Sequence, residues 1–409
     1  MNQILLFIGL VIILCLTIKP VGKKLPFPTL LIFIALGMLL GVNGPAHIDF
    51  SDYALTETVC STALLFIMFY GGFNTNIDRA KPVAVPAVLL STLGVIATAG
   101  ITGAFAHFAL GFDWIGGLLL GSVVASTDAA SVFSVLREHN LSLRGGTDSL
   151  LEVESGSNDP VAYMLTAVLA TLAAGGSIDI PALLAKQIIL GVGLGLAIGW
   201  ISSRLIERAH ATAEGAQTIF LFAVAIVAYA LPSYLGGNGF LSVYLAGIVL
   251  GASDITGKVE IAHFFDTLTE MAEMTIFFLL GLLVTPACLP QMLLPGLALM
   301  AFMLFVSRPI AVGLLLAPFK TNPHQVALVS WAGLRGAASV VFSLFAVVAG
   351  VPGGHDLFDL VFVIAVSSIV VQGSLLPAVA KKLDMIDAAG DVRRTFNDYR
   401  DEDGMSFVK

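Results

Sequence analysis

A chain of 409 residues that is 57% hydrophobic and only 12% charged has too much apolar surface to hide as a soluble globule. It belongs in lipid, and it must be helical, because backbone groups in hydrocarbon have to be satisfied internally. The 41 glycines suit close helix packing in a bilayer. The net charge of −8 comes partly from an acidic tail after Met385, and no nucleic-acid partner is expected.

Apolar runs separated by turn signals predict thirteen spans, at about residues 3–18, 27–43, 54–75, 82–110, 113–136, 148–173, 180–205, 216–232, 237–253, 260–285, 289–317, 323–350 and 357–380. The first run carries no small-residue cleavage site after it and reads as a helix, not a leader. The eighth and ninth are divided only by Pro232 and the Gly236-Gly237-Asn238-Gly239 turn. Lys19, Lys23, Lys24, Arg79, Lys81, Arg137, Arg144, Arg204, Arg208, Lys258, Lys320, Lys381 and Lys382 all fall in odd-numbered loops or the tail. The even-numbered loops carry Asp49, Asp52, Asp113, Asp179 and Asp356, with Lys186 the one base near that face. The positive-inside rule then puts the N-terminus outside and the C-terminus in the cytoplasm.

The sixth span holds Glu152-Val153-Glu154-Ser155-Gly156-Ser157-Asn158-Asp159-Pro160. Charged groups at a helix centre each cost roughly 2.5–3.5 kcal/mol on insertion scales, so such a cluster reads as a site on an ion or proton path. With a helix starting near Asp148, Asp159 lies about 16 Å deep, near the middle of a hydrocarbon layer about 30 Å thick. Glu152 and Asp159 share one helix face, Glu154 and Asn158 another. Pro160 removes a backbone donor and frees carbonyls around Gly156, which beside a carboxylate makes a hard-oxygen cation site.

Two further spans are polar at similar depth. The fifth carries Ser126-Thr127-Asp128-Ala129-Ala130-Ser131; the twelfth carries Gly333-Leu334-Arg335-Gly336, where two glycines around a base suggest a broken helix. The eleventh carries Ser307-Arg308-Pro309, with a kink expected at Pro309. The fifth and twelfth spans are seven apart and so run in opposite directions, as an inverted repeat of spans 1–6 and 8–13 requires (about residues 1–173 and 216–381). In a crossing of broken helices, Asp128 could balance two N-terminal ends and Arg335 two C-terminal ends.

Taken together, Thr127-Asp128, Glu154-Ser155-Gly156-Ser157-Asn158-Asp159-Pro160 and Gly333-Leu334-Arg335-Gly336 resemble the monovalent cation/proton antiporter superfamily. The Asn-Asp pair resembles its sodium–proton exchanger branch, with the NhaP-type prokaryotic members. The chain's ending resembles bacterial potassium/proton antiporters of the cell-volume-regulation type. The resemblance covers almost the whole chain. It implies an all-α polytopic fold with a core and a dimerisation domain in residues 1–385, a homodimer in the bacterial inner membrane, and elevator-type alternating access. It implies that Asp159 exchanges H⁺ for K⁺ or Na⁺, with cation contacts from Ser155, Thr127 and Asp128, and Asn158 beside them. It implies that Glu154 pairs with Arg308 or Arg335 and helps hold Asn158. Residues 386–409 would be a cytoplasmic tail leading into a regulatory domain absent from this chain.

One carboxylate that takes either a proton or a cation, next to a non-titrating Asn158, predicts electroneutral 1:1 exchange. Glu152, nearer the cytoplasmic end, is expected to be solvated or to line the mouth of the ion path. No resident cofactor is expected. Cys15, Cys60 and Cys288 show no metal spacing, and no nucleophile–base pair suggests an enzyme. A cation channel would need a carbonyl filter, which is not seen. A sodium-coupled symporter of a small organic anion would need donors for a carboxylate, where this chain offers acids.

Overall fold

The computed structural model describes residues 2–22, 29–41, 44, 47–139, 141–209, 216–255 and 257–387, and these are almost entirely helical. The helices are α1 (Asn2–Gly22), α2 (Leu30–Leu40), α3 (Tyr53–Asn74) and α4 (Ile77–Leu110). Two half-helices follow, α5 (Trp114–Val123) and α6 (Ala129–Glu138), then α7 (Thr147–Ala173), α8 (Ile180–Ala209), α9 (Ala216–Tyr234), α10 (Gly239–Ala252) and α11 (Lys258–Leu283). The chain continues with α12 (Leu289–Phe319), the half-helices α13 (Pro323–Trp331) and α14 (Ala337–Val348), and α15 (Gly354–Lys382). Each expected span range holds a helix or, at the fifth and twelfth, a broken pair. Six of the helices, α3, α4, α8, α9, α12 and α15, are long and apolar enough to cross a membrane by length and composition.

The boundaries follow local chemistry. Asp52, Asp113, Asn238 and Asn322 each cap the helix that follows, accepting from Leu55, Gly116, Leu241 and His324 N–H groups. The close division of α9 from α10 falls where it was expected, with Pro232 inside the last turns of α9 and Asn238 starting α10. At Pro309 the distortion precedes the ring. The five residues Met303–Ser307 form a π-turn, consistent with a proline that cannot donate back to the preceding turn. Similar π-turns interrupt α4 at Leu90–Gly94 and α15 at Ile369–Gly373. The expected tail, beyond Asp387, lies outside the described residues; Ile386 forms an isolated antiparallel bridge with Leu143.

The helices pack in two groups. One contains α4, the two broken pairs, α7, α12 and α15; the other contains α2, α3 and α8 to α11. In the second group α3 and α10 approach so closely that a Cβ on Gly72, Gly247 or Gly251 would run into the facing backbone. The groups meet where α14 lies on α3 and where α7 lies on α10. At the latter seam the Tyr244 ring of α10 sits on Gly156 of α7, where any side chain would strike its ring atoms. The buried Asn238 amide reaches from the start of α10 to the Pro160 carbonyl at 2.8 Å.

Candidate functional site

The two broken pairs cross. The chain is unwound between α5 and α6 and again between α13 and α14, and the Asp128 N–H donates to the Leu334 carbonyl at 2.9 Å, backbone to backbone. Unwinding leaves helix ends inside the protein, each with unsatisfied backbone groups. The two charged residues of the crossing answer them. Arg335 Nη1 donates to the carbonyls of Ala125 (2.7 Å) and Ser126 (2.8 Å), just past the C-terminal end of α5. The Asp128 carboxylate accepts from the N–H (3.1 Å) and hydroxyl (2.5 Å) of Ser131 in the first turn of α6. The same carboxylate fills the space where a Cβ on Gly336 would stand, directly before α14. A negative group thus faces two N-terminal ends and a positive one faces carbonyls, as the macrodipole demands.

Helix α7 runs alongside and turns one buried polar face toward the unwound Ser126–Asp128 segment. Ser155 and Asp159 are one turn apart, as are Glu154 and Asn158. The Ser155 hydroxyl donates to the Thr127 carbonyl at 2.6 Å. The Asn158 amide donates to the Thr127 hydroxyl at 2.5 Å, and its oxygen accepts from the Thr127 N–H at 3.4 Å. The Asp159 carboxylate, 8% exposed, accepts from the hydroxyl of Ser126. Asp159, Ser155, Asn158 and Thr127 are therefore brought together, with Asp128 next in the chain. A carboxylate, two hydroxyls and loosened backbone carbonyls offer the oxygen donors that a hard monovalent cation takes. Among the described residues no cluster of three or more His, Cys, Asp or Glu side chains is gathered that could hold a metal ion.

The arginine left open by the sequence is Arg308. Its Nη2 donates to both carboxylate oxygens of Glu154, at 2.7 and 2.8 Å, with the two side chains 2% and 0% exposed. Arg335 is occupied with the carbonyls of the crossing. Among the described residues no lysine or arginine lies within ion-pair distance of Asp159.

The structure narrows one open alternative and adds residues that the sequence did not mark. The hydrogen-bond partner of the Asn158 amide is Thr127, which presents donor and acceptor together on unwound backbone. Of the two readings of Glu152, solvated or lining the mouth of the ion path, its burial at 9% exposure removes the first. Ser126 was not singled out, although it is the side chain that touches Asp159; its place in an unbroken Ser-Thr-Asp run between apolar segments was the available signal. Ser368 and Gln372 were also missed. The Ser368 hydroxyl accepts from the Arg335 N–H at 2.9 Å and donates to Gln372, whose amide donates to the Trp331 carbonyl at the end of α13 at 2.8 Å. Their four-residue spacing, which puts both on one helix face within a largely apolar run, was the clue.

A helical membrane protein with a buried carboxylate beside two crossed, interrupted helices has the architecture of a secondary transporter. The particular family follows from the sequence match: the chain belongs to the sodium/hydrogen exchanger family, whose transmembrane model matches residues 9–382, and it is thus a transporter and not an enzyme. It is 39% identical over 386 residues to the K(+)/H(+) antiporter NhaP2 of Shewanella sp. (strain ANA-3), a match covering 93% of this chain and 67% of that protein. It is 36% identical over 387 residues to the K(+)/H(+) antiporter NhaP of Alkalimonas amylolytica, covering 94% of this chain and 67% of that one. The chain thus spans about two thirds of these relatives' length. The sodium proton antiporter MjNhaP1 of Methanocaldococcus jannaschii at pH 8 has the same fold, with a TM-score of 0.79 at 22% identity over 93% of this chain and 99% of that one.

Proposed function

We propose that this protein is a secondary antiporter that exchanges a monovalent cation for H⁺ at Asp159. The observation that carries this reading is the state of that carboxylate. It is buried, accepts a hydrogen bond from the Ser126 hydroxyl, and is paired with no guanidinium among the described residues, since Arg308 is held by Glu154 and Arg335 by the Ala125 and Ser126 carbonyls. A buried carboxylate without a fixed counter-charge is costly, and either a proton or a cation relieves it. The two cannot bind at once. An empty, charged site resists passage through the apolar barrier, whereas a loaded one is nearly neutral and crosses, which couples the two fluxes.

In this reading the cation is held by Asp159, Ser155 and the Thr127 backbone, with Asp128 acting partly through water, and Glu152 lines the approach from the cytoplasm. Ser126 joins the set. The Ser155 hydroxyl, hydrogen-bonded to the Thr127 carbonyl at 2.6 Å, brings both oxygens into that set. K⁺ is the first candidate, because the relatives at 36–39% identity bear K(+)/H(+) names, and Na⁺ the second. The group of helices around the crossing moves as a body against the α2, α3 and α8–α11 group, in an elevator-type cycle within a homodimer. The thirteen spans form two inverted repeats; the broken pairs in spans 5 and 12, and the π-turns in α4 and α12 (spans 4 and 11), support that symmetry. The N-terminus lies outside and the C-terminus in the cytoplasm of a bacterial inner membrane.

Because Asn158 carries no charge to compensate, one site moves one charge each way. Reconstituted vesicles test this. At fixed ion gradients the exchange rate should not respond to an imposed voltage; acceleration or reversal with voltage would reject 1:1 exchange, and no cation-driven proton flux at all would reject antiport.

A further inference from the structure

Away from the ion site, α12 and α13 leave between them an open groove of about 550 Å³, within the size range of small-molecule sites. Its walls are apolar: Pro309, Gly313 and Leu316 on one side, Val326, Ala327 and Trp331 on the other. The groove opens outward beside Phe305, which is 68% exposed, away from the protein's interior. At one end lies the short connection that holds Lys320 and Thr321, and Thr321 itself lines the groove.

We propose that this groove is a binding site for one anionic phospholipid of the cytoplasmic leaflet, its acyl chain lying between α12 and α13 and its phosphate at Lys320. The length of the groove wall fits. The helix that forms one wall, α13, has 9 residues and so runs about 13 Å, close to the roughly 15 Å that one leaflet contributes to the hydrocarbon layer. An acyl chain can therefore follow the groove from the connection to Trp331 without leaving its own leaflet.

The charge at the mouth fits as well. The connection is exposed, with Lys320 free of any acidic ion-pair partner among the described residues. On the positive-inside reading it lies at the cytoplasmic end. Gln325, in the first turns of α13, donates to the Gly145 carbonyl, next to Arg144, which pairs with Asp384 beyond Lys381 and Lys382. The N-terminal end of α13 adds its positive dipole end at the same level. A headgroup with net negative charge is favoured there over a zwitterionic one by about fivefold for a single lysine at the membrane surface.

The site is distinct from the ion path. Leu304 and Ser330 form its floor, and behind them a much smaller cavity is bounded by Arg308, Gly333 and Arg335. A lipid seated in the groove would brace α13, whose last residue leads into the unwound segment that carries Arg335. The inference rests on the membrane orientation and not on which ion is exchanged.

Trp331 supplies the probe. The chain has 3 tryptophans, and the exposed Trp114 and Trp200 can be replaced by phenylalanine to leave Trp331 alone. The purified full chain is reconstituted with phosphatidylglycerol or phosphatidylcholine brominated at mid-chain, and quenching of Trp331 is followed against the mole fraction of brominated lipid. The expected result is saturable quenching with about fivefold preference for phosphatidylglycerol, lost in Lys320→Gln, and weakened for both lipids in Ala327→Phe, which narrows the groove. Equal quenching by both lipids, or a preference unchanged by Lys320→Gln, would show ordinary annular lipid and overturn the site. Quenching by neither lipid would show the groove closed or covered by protein, including a second copy of the chain, and overturns it as well. Should the phenylalanine background prove unstable, thermal unfolding of the delipidated wild type decides: stabilisation by phosphatidylglycerol beyond phosphatidylcholine, absent in Lys320→Gln, is expected, and equal stabilisation by both contradicts the proposal.

Discussion

Arg308 reaches from α12 to α7 and places one guanidinium nitrogen between the two carboxylate oxygens of Glu154, at 2.7 and 2.8 Å, with both side chains sealed from solvent. This pair ties the helix that bears Asp159 to the helix of the π-turn at Met303–Ser307. Removing one partner strands the other charge in an apolar setting. Arg308→Ala or Glu154→Ala is expected to cost about 3–5 kcal/mol of stability. Replacing both together with apolar residues of similar volume should recover most of that loss. Thermal unfolding of the purified protein in detergent measures both. A single variant as stable as wild type would show that the pair is incidental.

Ser126 is the group whose hydroxyl meets Asp159. A hydrogen bond to a charged group contributes about 1.5–3 kcal/mol. Ser126→Ala should therefore raise the cation concentration for half-maximal exchange by about tenfold or more while leaving the protein folded. Titration of cation-driven proton flux in vesicles gives the number. An unchanged half-maximal concentration would remove Ser126 from the site.

Gly336→Ala tests the crossing itself. A methyl group at this position falls on the Asp128 carboxylate, which is fixed by Ser131 and by the Asp128 N–H bond to Leu334. Because the Asp128 side chain from its Cβ to its carboxylate fills that space and is tethered at both ends, it has little room to yield, and we expect strong loss of folded protein. Asp128→Asn in the same background, which weakens the tether to Ser131, should not rescue it fully, since the steric conflict remains. Yield by fluorescence size-exclusion chromatography reads this directly; a Gly336→Ala protein of wild-type yield and stability would mean that the two segments do not approach so closely.

Arg335 should be sensitive to shape as well as charge. Its guanidinium serves the Ala125 and Ser126 carbonyls together. A lysine keeps the charge but lacks the planar fork. Arg335→Lys is expected to keep partial stability with reduced exchange, and Arg335→Ala to lose both. Arg335→Lys equal to wild type would show that charge alone matters, and Arg335→Lys equal to Arg335→Ala that the charge contributes nothing.

Much of this architecture was readable from the chain. Apolar runs and their turn signals located the helices, because lipid forces each run to satisfy its own backbone. Arg335 between Gly333 and Gly336, and Asp128 among Ser126, Thr127 and Ser131, marked the broken segments, since polar groups at that depth need unsatisfied backbone as a partner. What spacing could not supply was azimuth across distant helices. Arg308 and Arg335 sit at similar depth, so only the structure shows that Arg308 faces Glu154 while Arg335 faces the end of α5. The same limit hid Ser368 and Gln372, whose partners are Arg335 in the unwound segment and Trp331 at the end of α13. It also left Glu152 open, because a residue near a helix end reads as solvated unless the neighbouring helix that covers it is known. Pro309 marked a distortion, but whether a proline bends a helix or widens one turn into a π-turn depends on its packing against α4, where the Ser307 hydroxyl lies 3.0 Å from that of Thr102.

The central claim is that Asp159 alternately carries the proton and the cation. Dequenching of a pH-sensitive dye in everted membrane vesicles on addition of K⁺, Na⁺ or Li⁺, wild type beside Asp159→Asn, addresses it most directly. The account predicts a cation-induced signal in wild type, led by K⁺, and none with any of the three ions in a mutant present at equal level in the membrane. A mutant signal equal to that of wild type would contradict it.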